Sequence, residues 1–110
     1  MSNKPIKSFQ EFYSFYLIQH SHKANIALHF MGTSAVLIII VYTFLSRDFG
    51  FLWLAPVFGY GLAWLGHFFF QKNKPATFKY PAWSLLADFL LYYHVLTLQI
   101  EDKLKAALKE

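Results

Sequence analysis

The stretch IALHFMGTSAVLIIIVYTFL, residues 26–45, is followed five residues later by FLWLAPVFGYGLAWLGHFFF, residues 51–70. Between Ala24 and Gln71 only the adjacent Arg47 and Asp48 carry charge. Each run has the ~20 residues that a helix needs to cross the hydrocarbon of a bilayer. A third apolar run, residues 82–100, contains one charged side chain, Asp88. The predicted class is therefore all-α: an integral membrane bundle of three transmembrane helices, forming a single domain over residues 1–110. Composition agrees, with 56% apolar, 21% aromatic and 15% charged residues, against a usual charged share of about a quarter. A soluble domain this small cannot hide so much apolar surface. The other reading is a water-soluble bundle of very hydrophobic helices, but runs of this length are normally spans.

Outward from the first span, Ser8 and Glu11 have the capping-box spacing that opens a helix. Phe9, Phe12, Tyr13, Tyr16 and Leu17 then fall on one face, which suits an amphipathic helix lying at the membrane interface, the favoured reading, or else a helix packed on the others. No cleaved leader is expected, because Met1 to Gln10 is polar and Gly32-Thr33-Ser34-Ala35 sits inside the apolar run rather than after it. Three spans put Lys4, Lys7, Lys23, Lys72, Lys74 and Lys79 on one side and Arg47, Lys103, Lys105 and Lys109 on the other. The excess places the N-terminus in the cytoplasm and the C-terminus outside, unless the last stretch re-enters or lies flat. The membrane expected is a bacterial inner membrane, or the endoplasmic reticulum in a eukaryotic cell. The bilayer, not nucleic acid, is the partner that clusters of lysine flanking apolar spans imply. Nothing in these features sets the oligomeric state.

The chain has no cysteine, which excludes a disulfide framework, a thiolate metal site and a cysteine nucleophile. Its histidines occupy particular places. His20 and His22 precede the first span, His29 lies about one turn inside it, and His67 about one turn before the end of the second. Asp88 is ~9 Å into the third span, approaching the same membrane face. An ionisable residue inside a span costs ~2.5 to 3.5 kcal/mol on insertion scales and usually has a partner. Helical phase adds that Gly59, Ala63 and His67 share one stripe, that Asn25, His29 and Gly32 share another, and that Ser84, Asp88 and Tyr92 align on the third helix. His94 is turned about 120° from Asp88 and is left out of the group. Neutral imidazoles with a carboxylate suit iron(II), zinc or manganese. The candidate metal ligands are accordingly His20, His22, His29, His67 and Asp88. The competing readings are that these residues only join helices, or that two histidines hold a haem. A nucleophile elbow and a phosphate-binding loop are both absent from the sequence. The loop from Gln71 to Pro81 carries two prolines, and its Lys72, Asn73 and Lys74 are candidates to hold an acidic lipid head group.

Several of these residues form a pattern: Tyr16-x3-His20-x4-Asn25-x3-His29-x2-Gly32-Thr33, then Gly59-Tyr60-x2-Ala63-Trp64-x-Gly66-His67-Phe68, then Asn73-x-Pro75-Ala76-x-Phe78-x-Tyr80-Pro81 and Ser84-Leu85-x2-Asp88. It resembles the small membrane proteins related to the fungal 2-hydroxy fatty acid dioxygenase, over about residues 9 to 93, and is closest to their short bacterial members. The resemblance implies an Fe(2+)-dependent dioxygenase of α-oxidation that uses dioxygen to convert a long-chain 2-hydroxy fatty acid to the acid one carbon shorter. His20, His29 and His67 match the family's histidines and on this reading hold the iron, with Lys72 or Lys74 placed to neutralise the substrate's carboxylate at the interface. Family members commonly have Glu where this chain has Gln71, and Asn-Pro where it has His22-Lys23. The alternatives are then that Asp88 is the catalytic carboxylate in its place, that His22 completes a histidine-rich site, or that activity is altered or absent.

Overall fold

Helix α2 (Lys23–Ser46) and helix α3 (Leu54–Leu65) pack as an antiparallel pair because small residues line the seam between them. A Cβ placed on Gly32 would stand 3.1 Å from the Gly59 carbonyl oxygen, and one placed on Gly66 would collide with Asn25 Oδ1 and stand 3.1 Å from Asn25 Cα. The two backbones touch at these points, as at the close crossings that small residues permit. Gly32 and Gly59 belong to the stripes read from helical phase. The turn joining the helices begins at Arg47 in the left-handed conformation, φ 58°. A short 3-10 turn, Phe49–Phe51, follows, and Asp48 Oδ1 accepts from the Gly50 N–H.

This computed structural model describes residues 6–109; Lys4, one of the flanking lysines, lies outside them. The other helices are α1 (Phe9–Ile18), α4 (Pro81–Leu96) and α5 (Ile100–Lys109), and no strand occurs among the described residues. α2, with 24 residues, and the 23-residue segment Phe49–Gln71 are long and apolar enough to cross a membrane. The third stretch departs from the expected span over 82–100. α4 starts with proline in its first turn, where the missing N–H is not needed, and stops at Leu96 after 16 residues. That length is ~24 Å, against a hydrocarbon thickness of ~30 Å. Leu98 adopts φ 60° and the Gln99 N–H donates back to the His94 carbonyl, which reverses the chain. α5 then packs on α1. The tail thus returns to the side of the N-terminal helix instead of emerging on the opposite one.

α1 also differs from expectation. Ser8 Oγ caps it by accepting from the Glu11 N–H at 3.2 Å, as the spacing foretold. Its aromatic face does not lie on lipid, however, but forms the core. Phe12, Tyr13, Tyr16 and Leu17 are buried against Ala87 and Leu91 of α4 and Ala107 of α5. Phe12 sits 5.3 Å from the Tyr80 ring and 5.6 Å from Trp83. An amphipathic stripe reads identically whether lipid or protein covers it, and here α4 and α5 supply the cover. The result is a helix pair, α2 and α3, whose outer surfaces expose Ile38, Leu45, Trp53 and Phe69. A cap of α1, α4 and α5 closes one end.

Candidate metal centre

His20, His29 and His67 meet where that cap joins the helix pair. All three are buried, with their candidate ligand atoms within 4.8 Å of one another. His20 comes from the turn after α1, His29 from the second turn of α2, and His67 from a π-helical turn (Gly66–Gln71) that continues α3. π-Turns are rare and recur at functional sites, since the extra residue re-aims a side chain. Here the turn closes on Lys72, in the left-handed conformation at φ 61°, and on the Asn73 N–H, which donates to the His67 carbonyl at 3.0 Å.

Each imidazole is held by its Nδ1. His20 Nδ1–H donates to the Tyr16 carbonyl at 2.6 Å and His29 Nδ1–H to the Asn25 carbonyl at 2.8 Å. Backbone carbonyls only accept, so both tautomers are fixed. His67 Nδ1 lies 2.6 Å from Asn73 Oδ1. That amide is oriented by its own Nδ2, which donates to the carbonyl of Gln19 at 3.1 Å and to its Oε1 at 2.8 Å, so Oδ1 must be the acceptor. All three protons are thereby placed on Nδ1. The three Nε2 atoms face one another carrying lone pairs, at 3.0 Å between His20 and His29 and 2.9 Å between His20 and His67. No hydrogen bond joins two lone pairs, and the approach is repulsive unless a cation lies between them.

The spacing suits an ion. Two nitrogens ~2.0 to 2.1 Å from one metal and at right angles to each other are ~2.9 Å apart. The space beside the rings, about 10 Å³ before it opens into a larger neighbouring cavity, admits a small ion and is too small for a haem. Burial, with His29 and His67 nearby, holds His20 well below the usual histidine pKa, which keeps the imidazole neutral as ligation requires. The buried residues supply what a metal centre needs: uncharged nitrogen donors, fixed tautomers and second partners on every ring.

The remaining candidates take other positions. His22 is exposed and is the N-cap of α2, its Nδ1 accepting from the Ala24 N–H at 3.1 Å; it is not part of the cluster. Asp88 lies outside the group of converging ligand atoms and accepts a hydrogen bond from the Tyr16 hydroxyl. It stays close to the site, however, lining the small space with the three histidines. Tyr16 carries the connection onward, since its ring stacks on His20 with centroids 3.9 Å apart. Burial, then Asp88, pushes the Tyr16 hydroxyl pKa up, so it remains a donor. Asn73, expected at a lipid head group, instead orients His67. Lys72 and Lys74 stand exposed on the loop and line neither cavity beside the histidines. Gln71 ties the loop before α2: its Oε1 accepts from the His22 N–H at 2.8 Å and its Nε2 donates to Ser21 Oγ at 2.9 Å. Gln71 is thus tied to the start of α2 and stands apart from the three-histidine group. His94, at the far end of α4, pairs with the Tyr13 hydroxyl at 2.6 Å.

A second cavity of about 210 Å³ adjoins the first, and His29, Tyr60, Ala63 and Asp88 line both. It continues between α2, α3 and α4 past Val36 and Gly59 to Ala55 and Pro56, an almost wholly apolar path away from the imidazoles. Such an apolar cavity joined to a few fixed polar groups is the usual form of a small-molecule site.

Among the described residues the fold and site define an all-helical protein with two membrane-length apolar helices and a buried three-histidine cluster able to hold a metal. The model of the family described as 2-hydroxy-palmitic acid dioxygenase Mpo1-like matches residues 6–100, and the chain belongs to that family. Comparison with curated proteins and with solved structures finds no match in either.

Proposed function

We propose that the protein is an iron(II)-dependent, membrane-embedded dioxygenase that shortens long-chain 2-hydroxy fatty acids by one carbon. The observation that carries this is the meeting of three Nε2 lone pairs whose tautomers are fixed by Tyr16, Asn25 and Asn73. Histidines that merely joined helices would donate to one another's segments, whereas these point unprotonated nitrogens at a shared centre. Membership of the family supplies the reaction class.

Embedding in a bilayer is supported by what is exposed. In the most apolar windows of the two long helices only 22% and 11% of residues are buried, whereas the core helix of a soluble protein would hide most of its apolar side chains. Ile38 is 69% exposed and Leu45 82%, while Asn25, His29 and Thr43 are buried; lipid suits the first group and the helix seam the second. Because α5 folds back on α1, Lys103, Lys105 and Lys109 come to the same end as Lys7 and Lys23, leaving Arg47 at the opposite turn. That asymmetry favours the histidine end at the cytoplasmic face.

Iron(II) held by His20, His29 and His67 would supply the redox partner through which dioxygen oxidises a saturated carbon. One dioxygen takes the four electrons released when a 2-hydroxy acid becomes the acid one carbon shorter, carbon dioxide and water, so no separate reductant enters. The chain's part is placement. The apolar cavity accepts the alkyl chain and excludes water, and its junction at His29 and Asp88 sets the 2-hydroxy carbon beside the imidazoles. Tyr16 occupies one oxygen of Asp88, leaving the other to receive the hydroxyl proton. The test is to give the iron-loaded protein 2-hydroxy-palmitic acid without air and then admit air. Oxygen uptake matched by the shortened acid is expected; uptake without that product, or no uptake, would reject the proposal.

A further inference from the structure

Four buried side-chain polar atoms have no hydrogen-bond partner among the described residues, and two of them, Ser84 Oγ and Trp64 Nε1, belong to residues lining the small space beside the three histidines. Ser84 is 1% exposed. A buried donor left unpaired forfeits its hydrogen bond to water, so folded proteins keep few of them and those few need a reason. Trp64 Nε1 can only donate, and Ser84 can donate. They come from different helices, α3 and α4, and share the wall with Asp88, one turn beyond Ser84 on the same face. Two unused donors on residues that line a space beside three imidazoles suit an oxygen-rich ligand with acceptor capacity. That space opens past Ala63, Tyr60 and His29 into the larger apolar cavity.

We infer that Trp64 and Ser84 form the carboxylate subsite of a lipid acid whose alkyl chain occupies the cavity running past Gly59 to Ala55 and Pro56. This rests on the reading of the substrate given above and deepens it. A carboxylate accepting from both donors turns the 2-hydroxyl toward Asp88, an acceptor, and away from the apolar walls. Recognition of the acid thus lies within the helix seam, and the exposed Lys72 and Lys74 on the loop are not needed for it. Neutral donors would meet the ligand's carboxylate, while a cation held by the three histidines would offset both it and Asp88.

The test uses the full chain in lipid nanodiscs, loaded with zinc so that no turnover occurs, and two probes: 2-hydroxy-palmitic acid and the 1,2-diol of the same chain length, which keeps the hydroxyl and lacks the carboxylate. Ser84→Ala and Trp64→Phe should each weaken binding of the acid about tenfold, as loss of a hydrogen bond to a charged group does. Binding of the diol should change less than about twofold, by the same reasoning. The unfolding midpoint of the ligand-free variants should be unchanged or higher, because an unpaired buried donor has been removed. Unaltered affinity for the acid, an equal loss for acid and diol, or a lowered midpoint would each overturn the inference. If the wild-type protein turns over 2-hydroxy-palmitic acid yet the variants bind it normally, the subsite alone fails; if the wild type neither binds nor consumes it, the substrate reading fails with it.

Discussion

Asn73 grips His67 from both sides: the His67 Nδ1–H donates to Asn73 Oδ1 at 2.6 Å, and the Asn73 N–H donates to the His67 carbonyl at 3.0 Å. The two residues close the π-helical turn and fix the ring together. Asn73→Ala should free the imidazole to change tautomer and swing, lowering metal affinity ~10- to 100-fold as losses of outer-shell partners do. Asn73→Asp, which keeps an acceptor, should recover much of it. Titration of each variant with metal against a competing chelator reads the difference; equal affinities for Ala and wild type would refute the role.

The ligand set can be tested by what is left out of it. His20→Ala, His29→Ala and His67→Ala should each abolish stoichiometric metal binding. His22→Ala should retain it, since that ring only caps α2, and Asp88→Asn should retain it because the amide oxygen can still accept from Tyr16. Metal content of the purified variants decides; loss of metal in His22→Ala or Asp88→Asn would restore those residues as ligands.

The seam between α2 and α3 predicts opposite outcomes for two glycines five residues apart. A Cβ on Gly66 collides with Asn25 Oδ1 and stands 3.1 Å from Asn25 Cα, while one on Gly61 meets nothing within 4 Å. Gly66→Ala should destabilise by about 1 to 3 kcal/mol as overpacking does, and should weaken metal binding by forcing the helices apart. Gly61→Ala should stabilise by up to about 1 kcal/mol, the helix-propensity difference. Unfolding in detergent compares them, and a harmless Gly66→Ala would show that the seam is loose.

Much of this architecture is legible in the amino-acid sequence. Helical pitch brings His20, His29 and His67 to one end, and four-residue spacing pairs Gly59, Ala63 and His67 on the seam. Less legible are features that depend on a partner. The break after α4 contains no proline or glycine, and Leu98 adopts a positive φ that its residue type does not announce. The aromatic face of α1 carries the same pattern whether it meets lipid or Trp83. Asp88 can be placed in depth by counting residues but not in direction, because only the tertiary position of Tyr16 determines which group reaches it. The π-turn that aims His67 leaves one trace, Gly66, and its meaning depends on Asn25 lying opposite.

The docking of α1 has an alkaline signature. Burial pushes the pKa values of Tyr13 and Tyr16 up, with Asp88 adding to the effect on Tyr16. The folded state therefore binds more protons than the unfolded chain once pH passes the ordinary tyrosine value of about 10. Their contribution is fully present below that pH and falls as pH rises beyond it. Of the seven tyrosines, these two should stay un-ionised in the native protein until the chain unfolds. Phenolate absorbance followed against pH, alongside helicity, checks this; early ionisation of every tyrosine would mean that α1 is not packed.

Three imidazoles sharing one cation is the claim on which the rest depends, and X-ray absorption at the metal edge of the iron-reconstituted protein measures it directly. One iron per chain with an imidazole-rich nearest shell, lost in His67→Ala, is the expected result. Iron that does not bind stoichiometrically, or a shell of oxygen ligands without imidazole, would contradict it.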